Sequence, residues 1–437
     1  MKREFVTRLL TIALITTFAL TSCGTDDVGK RHSNAYNSEI KELKSDQHRI
    51  TTPQPDTDEL EELVVGNTDF ALSLYQQVRD EPGNLFYSPF SISIAMAMTY
   101  AGARNETAQQ IEDTLHFTLG QEGLHKAFNF LDLELADRET NPGQDAEDGF
   151  RLRVTNSIWG QVGEAYMEEF LNTLALNYGA GLNLLDFMAD PEQCRLTING
   201  WVEKETKDRI KDLLPQGTVT VDTRLILTNA IYFKAAWNMP FEPEKTATGE
   251  FHLIDGGAMS VDMMNQYGIP LPYARGDGYA AVELPYDGEK LSMMVIVPQD
   301  LEDFESALGA DTLQSIISDM QTQLVTLSLP KFSFEFPFPL TDVLKEMGMP
   351  IAFSEEADFT GIRESGGLMI TDVLHKAFVA INEEGTEAAA ATAAVIGETA
   401  IIETATLIAD RPFLILIHDR PTGTILFLGR VVDPTAG

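Results

Sequence analysis

The sequence predicts one large α+β domain, and three observations carry this. Apolar residues recur at three- and four-residue spacing in some segments and alternate in others. The two kinds of segment are mixed, without the strand–helix–strand regularity of a parallel α/β fold, and no segment repeats. The 437 residues, 44% of them hydrophobic, are ample for a large core, and the length prior allows one to three domains.

From Glu59 the pattern is helical: Leu60, Leu63, Val64, Phe70, Leu74 and Val78 share one face, and Pro82-Gly83-Asn84 ends it. Ser88-Pro89 opens the next helix, with Ser as N-cap and Pro at the first helical position. Its body, Ile92–Tyr100, is small and apolar nearly all round, which predicts a buried central helix. Asn105–Leu115 and Leu124–Leu135 read as further helices. Leu152–Trp159 reads as a strand, then Tyr166–Tyr178 and Leu196–Leu214 as helices. Leu225–Phe233 lacks clean alternation, which predicts a strand buried on both faces. Ala280–Pro298 holds two strands around the turn signal Asp287-Gly288. Leu301–Met320 is expected to be helical. Val325–Phe336 reads as one long alternating strand, and Leu340–Met347 as a short helix. Val373–Ile381 alternates. Arg420-Pro421-Thr422-Gly423 joins two apolar strands.

Formal net charge is −36, which argues against nucleic-acid binding, because phosphate contacts need Lys and Arg. The first residues read as a targeting segment: Lys2, Arg3 and Arg8 precede an apolar run, Leu9–Leu20. That run is too short to serve as a mature transmembrane helix. Leu20-Thr21-Ser22-Cys23-Gly24 resembles the lipobox of bacterial lipoproteins. Residues 1–22 are therefore expected to be a signal peptide and Cys23 the lipidated residue, with the protein anchored to the cell envelope and its body outside the cytoplasm. Cys194 is then the sole remaining thiol and reads as a small core residue. Residues 23–57, polar and without apolar period, read as a flexible tether to a domain spanning 58–437.

The stretch Asn382–Thr392 opens the 30 residues between Ile381 and Pro412, which have no Pro, no aromatic and almost no large side chain. Ala is the best helix former, so helix is one reading and linker another. As a strand, one face would carry Thr386, Ala388, Ala390, Thr392, Ala394 and Ile396, none of them charged. The motifs G-x-S-x-G, H-E-x-x-H, C-x-x-C and the P-loop are absent, so neither an enzyme nor a metal or cofactor site is expected.

Asn382-Glu383-Glu384-Gly385-Thr386-Glu387-Ala388-Ala389-Ala390-Ala391-Thr392 resembles the hinge of inhibitory serpins. Leu407–Ile417 is similar to the family signature that follows its reactive loop. Asn84-Leu-Phe-Tyr-Ser-Pro-Phe-Ser91, Thr228-Asn-Ala-Ile-Tyr-Phe-Lys234 with Trp237, Leu329-Pro-Lys331 and Ala357-Asp-Phe-Thr-Gly361 follow the family order. The resemblance implies three β-sheets, about eight to nine helices and an exposed reactive-centre loop, here about 383–406. It implies a monomer that traps a serine protease covalently: the loop is cleaved, an acyl-enzyme forms, and the loop inserts as a new strand.

Gly385 and Thr386, with Ala388 and Ala390, would form the inserting hinge. Residues 386–399 span 14 positions, on the order of 45 Å as a strand. Ser88, Ser91, Asn229 and His375 match the family's shutter beneath the sheet, Trp237 its breach, and Glu383 with Lys331 a charge pair at the top. By the family's loop count the scissile bond is Thr399–Ala400, with Glu398, Ile401 and Ile402 as alternatives. No Arg or Lys lies between Glu384 and Asp410, so elastase-like or subtilisin-like serine proteases are the expected targets, with papain-like cysteine proteases as a second class. A non-inhibitory binding or structural protein on the same fold is the alternative.

Overall fold

The computed structural model describes residues 40–138, 151–386 and 404–436. In chain order these form β1 (Lys41–Leu43), α1 (Thr57–Val78), β2 (Leu85–Tyr87), α2 (Pro89–Tyr100), α3 (Asn105–Leu115), α4 (Gln121–Asp137) and β3 (Arg151–Gln161). Then follow α5 (Glu168–Thr173, continued by one π-helical turn), β4 (Leu182–Leu185), α6 (Pro191–Glu205), β5 (Leu225–Ala236), β6 (Ala247–His252), β7 (Ala258–Gly276), β8 (Tyr279–Pro285) and β9 (Leu291–Pro298). The chain continues with α7 (Leu301–Ala307), α8 (Ala310–Ser318), β10 (Gln321–Pro330), β11 (Phe332–Pro339), α9 (Leu340–Met347) and β12 (Asp372–Ile381). It ends with β13 (Gly385–Thr386), β14 (Thr404–Ile408), β15 (Phe413–Asp419) and β16 (Ile425–Val431).

The strands hydrogen-bond into two sheets. The central sheet runs β1-β4-β3-β5-β13-β12-β11. The second runs β14-β10-β7-β8-β9-β15-β16-β2, with β6 beside β7. Among the described residues the three expected sheets appear as two hydrogen-bonded sets, because the 19-residue β7 pairs with β6 over Ala258–Met263, with β10 over Met263–Tyr273 and with β8 over Tyr273–Gly276.

Local signals explain the helix that matters most. Ser88 caps α2 by accepting the Ser91 N–H, and Pro89 opens it. All twelve residues of α2 are buried, because it packs against β3 and β5 of the central sheet and β16 of the second. The missing alternation of β5 has the expected cause. Leu227, Ile231 and Phe233 enter the main core, while Ile226 and Ala230 enter a second cluster with Trp159, Ile198 and Val202.

Several expected elements come out differently. The helix expected over 196–214 begins earlier, where Asp190 caps and Pro191 starts α6, and it stops at Glu205. Lys207, Asp208 and Asp212 then take positive φ, which no helix continues through. The helical stretch 301–320 breaks at Leu308-Gly309 into α7 and α8. The long strand 325–336 is two strands in different sheets, divided at Lys331, whose N–H donates to the Asp262 carbonyl. The alternation changes phase there: Val325, Leu327 and Leu329 are the buried residues of β10, and Phe332 and Phe334 those of β11, so Lys331 takes the place where one continuous strand would need another core residue.

The tether is the largest correction. From Ile40 the chain lies on the body rather than leading away from it. Lys41–Leu43 pair antiparallel with Leu182–Leu184 and extend the central sheet. Arg49 reaches Asn129 Oδ1 at 2.8 Å and Asp132 Oδ2 at 2.6 Å. The backbone of Ile50 bonds Leu176 and Asn129. Strand addition at a sheet edge uses main-chain groups, which composition does not report. The signal peptide, Cys23 and the first part of the expected tether lie outside the described residues, as do Ala388, Ala390, Glu398, Thr399, Ala400, Ile401 and Ile402.

Candidate functional site: the seam of the central sheet

Strands β5 and β12 are parallel neighbours, 146 positions apart in sequence where His375 faces Asn229. They pair directly from Asp372↔Ile226 to Ala377↔Ile231. At the far end β13 is interposed: Thr386 lies opposite Ala235 and Ile381, and Gly385 opposite Ala236.

The chain reverses tightly to enter that slot. Asn382 Oδ1 accepts the N–H of Glu384 at 3.0 Å and of Gly385 at 3.1 Å. Gly385 has φ +153°, and a Cβ there would sit 2.1 Å from the Ala235 carbonyl oxygen, so only glycine fits.

Aromatic rings close the slot. Trp237 Nε1–H donates to the Asn382 carbonyl at 3.0 Å, and its backbone N–H to the Glu384 carbonyl at 2.9 Å. Its ring stacks on Tyr286, with centroids 4.6 Å apart and planes 8° from parallel. Thr386 Oγ1 lies 2.8 Å from Tyr286 Oη. The Glu383 carboxylate accepts from Lys331 Nζ at 3.0 Å and Thr246 Oγ1 at 2.7 Å. Burial alone would raise its pKa, but these two hydrogen bonds and the Lys331 charge bring it below the usual range.

A second constellation fills the middle of the seam. Asn156 of β3, Asn229 of β5 and His375 of β12 are register neighbours across three strands, so they share one face. That face meets the start of α2. His375 Nε2 accepts the Ser88 N–H at 3.1 Å. Its proton is therefore on Nδ1, which donates to Asn229 Oδ1. The Asn229 amide in turn reaches the Ser91 carbonyl and hydroxyl, both at 2.6 Å, and Asn156 Oδ1. Burial holds the His375 imidazole neutral, with its pKa pushed down to about 3.

The structure thus brings Ser88, Ser91, Asn229 and His375 together, and separately Trp237, Lys331, Glu383, Gly385 and Thr386. Sequence reasoning missed Asn156, Tyr286 and Thr246, and gave Asn382 no role beyond opening the hinge motif. An Asn inside the strand-like run 152–159 was an available signal, since Asn is depleted in strands. Tyr286 was hidden beside the Asp287-Gly288 turn.

One other polar cluster invites an enzymatic reading and does not support it. Ser292, His418 and Glu283 meet in the second sheet, but Ser292 Oγ at 2.9 Å and Glu283 Oε1 at 3.3 Å both face the same imidazole nitrogen, Nε2. A nucleophile–base relay needs the carboxylate on the other nitrogen. Burial would raise the Glu283 pKa, but hydrogen bonds from His418 and Ser292 and the nearby Arg420 charge lower it to about 2.

Residues 65–434 match the family model described as serpin (serine protease inhibitor). An uncharacterised serpin-like protein of Thermococcus kodakarensis is 40% identical over 373 residues, 84% of this chain and 85% of that one. The leukocyte elastase inhibitor of Sus scrofa is 36% identical over 387 residues, covering 86% of this chain and all of that protein. Human thyroxine-binding globulin, solved in complex with thyroxine, superposes with a TM-score of 0.77 at 30% identity, over 86% of this chain and 100% of that one. The family is one of protease inhibitors, not of catalytic enzymes. The chain belongs to the serpin family.

Proposed function

We propose that this protein is a suicide-substrate inhibitor of serine endopeptidases with elastase-like or subtilisin-like preference. The observation that carries this reading is β13, two residues of the hinge seated between β5 and β12. From Thr386 to Ile396 the alternate residues of that face carry no charge; the first charge on it is Glu398, next to the expected scissile bond. A protease serine would attack the Thr399 carbonyl, release the Ala400 amine and hold the acyl group. Extension of β13 into the seam before hydrolysis would trap it. Each added residue gains ladder hydrogen bonds and buries small side chains, the loop-insertion strain release for which serpins are a standing example. The seam's neutral hydrogen bonds at Asn156, Asn229 and His375 would exchange partners as the strands part.

The absence of Arg and Lys from 385–409 favours a target whose pocket takes small or β-branched residues. The similarity to a leukocyte elastase inhibitor points the same way. Papain-like cysteine proteases form a second target class. The lipobox at Leu20–Cys23 supports a lipid-anchored protein of the bacterial envelope with its body outside the cytoplasm, acting as a monomer. The competing reading is a binding protein on the same fold, as thyroxine-binding globulin is by name.

Incubation with an elastase-like and a subtilisin-like protease, followed by denaturing electrophoresis and intact mass, tests the proposal. An SDS-stable adduct and a new C-terminal fragment beginning near Ala400 are expected. Cleavage without adduct, and without a rise in melting temperature, would sink it in favour of the binding protein. Thr386→Arg puts a charge on the inward face, where an unpaired ion costs several kcal/mol. It is expected to convert the inhibitor into a substrate; persistent adduct from that variant would refute the hinge account.

A further inference from the structure

The hinge slot contains a contact with a more specific consequence, which rests on the inhibitor reading above. Tyr286 is held rigidly. Its backbone N–H donates to the Leu291 carbonyl at 2.9 Å, and it forms a bridge with Trp237. The neighbouring Asp287 N–H donates to Ala236 at 2.8 Å, which ties the loop after β8 to the end of β5. The ring packs flat on Trp237 and edge-on to Phe233, with centroids 5.2 Å apart in the second case. The hydroxyl is therefore fixed in place, in a side chain that is 1% exposed. Among the described residues the one hydrogen bond of this hydroxyl is to Thr386 Oγ1, and the reverse also holds.

We propose that Tyr286 is a positioning residue whose hydroxyl recognises a hydroxyl-bearing side chain at residue 386 and so sets the register of the entering strand. Strand side chains alternate, so a slip of one residue exchanges the two faces. With Thr386 seated on Tyr286, the residues that follow on its face are Ala388 and Ala390. A slip of one residue would bring Glu387 or Gly385 to Tyr286 instead. Glu387 would carry a charge into an apolar slot, and Gly385 would leave the Tyr286 hydroxyl buried without a partner. The ring is the wall of the slot and the hydroxyl its gauge. Only Ser or Thr satisfies the gauge; Val, the same shape as Thr without the oxygen, does not.

The test uses Tyr286→Phe, Thr386→Val, the two combined, and Thr386→Ser. In the uncleaved protein, exchange of the amides of residues 381–386 is expected to quicken about tenfold in each non-polar variant, the scale of one lost buried hydrogen bond. The double variant should be no faster than either single, because both remove the same bond. Thr386→Ser should stay near wild type. Against an elastase-like protease, the moles of inhibitor consumed per mole trapped should rise at least twofold in both single variants, with the acylation rate held within about twofold, since the bond acts after cleavage. Unchanged exchange in both single variants would overturn the proposal. So would additive effects in the double variant, or damage from Tyr286→Phe with none from Thr386→Val. If wild type forms no adduct with any protease, the inhibitor reading fails by itself, and the exchange measurement still decides whether the two hydroxyls recognise each other.

Discussion

In the seam between β5 and β12, Ser88, Ser91, Asn156, Asn229 and His375 meet beneath the sheet, and none carries a charge. Beneath β16 the opposite arrangement holds. Arg430 and Glu305 face each other at 3.0 Å, with side chains 5% and 7% exposed. Tyr75 donates to the same carboxylate at 2.5 Å. The remaining Arg430 donors reach the carbonyls of Arg79, Glu81 and Gly83 just past α1. Both sites bury polar groups and satisfy them. Neutral amides and imidazole can exchange partners without moving a charge through a medium of low dielectric; a buried ion pair cannot. The chemistry is thus suited to movement at the seam and to permanence under β16.

Arg430→Met is the strongest way to test that contrast. It leaves Glu305 buried without its cation, which costs about 3–5 kcal/mol. The urea midpoint should fall accordingly, and adding Glu305→Leu should recover most of the loss. A loss under about 1 kcal/mol would show that the pair is no clamp.

Acid should separate the two sites next. Burial lowers the pKa of His375 to about 3 and of His125, which bonds Tyr178 and Gln121, to about 4. Both lie below the unfolded value of 6.5. Between these limits the unfolded chain binds protons that the folded chain does not, so stability falls as pH drops below 6.5. By pH 5 each imidazole accounts for a loss of roughly 2 kcal/mol. Above pH 6.5 both are neutral in either state and contribute no slope. Urea midpoints from pH 7.5 to 5 check this, and amide exchange should show the loss concentrated in β12 and α4, which carry His375 and His125. A flat profile would mean that neither imidazole is held neutral, and a loss confined to α4 would mean that His375 is not.

Asn229→Ala removes the hub of the seam and leaves the His375 Nδ1–H without its acceptor. A loss of about 1–3 kcal/mol is expected. Faster exchange should be confined to β3, β5 and β12, with β15 and β16 unaffected. Loss spread evenly over both sheets would erase the distinction between them.

The two regions were not equally legible in the sequence. Short-range signals exposed the β15–β16 hairpin and the capped start of α2, because turn and cap chemistry sits beside the element it shapes. The buried seam of β5 was visible as missing alternation. Its polar row was visible only in part. Asn229 and His375 were found by resemblance, while Asn156 and Tyr286 depend on cross-strand register, which no local pattern encodes. Ile40–Asp56 were misread as tether for a related reason: strand addition through backbone groups and one ion pair from Arg49 needs no apolar period. The division of residues 325–336 between two sheets did leave a local mark that was read past: one strand would put Leu327 and Ser333 on the same face, yet Leu327 is buried and Ser333 exposed, because the apolar phase shifts at Lys331.

Lys331→Met should have the smallest effect, and it separates energetic from positional roles at the hinge. Lys331 sits at the point where β10 passes into β11, and its side chain is 38% exposed. An ion pair so placed is worth about 0–1 kcal/mol, because water screens it and the long side chain loses freedom. Glu383 would keep Thr246 Oγ1, and its carbonyl would still accept the Phe241 N–H at 2.8 Å. Global stability should therefore barely move. Glu383 titration is the sensitive measure. Its lowered pKa means that its contribution is present above the usual Glu range and is lost as pH falls through the folded value. Without Lys331 that folded value should rise toward 4.5, and acid should loosen residues 383–386 at a higher pH than in wild type. If the midpoint of hinge loosening did not shift, Thr246 alone would be holding the carboxylate, and Lys331 would belong to neither the seam nor the clamp.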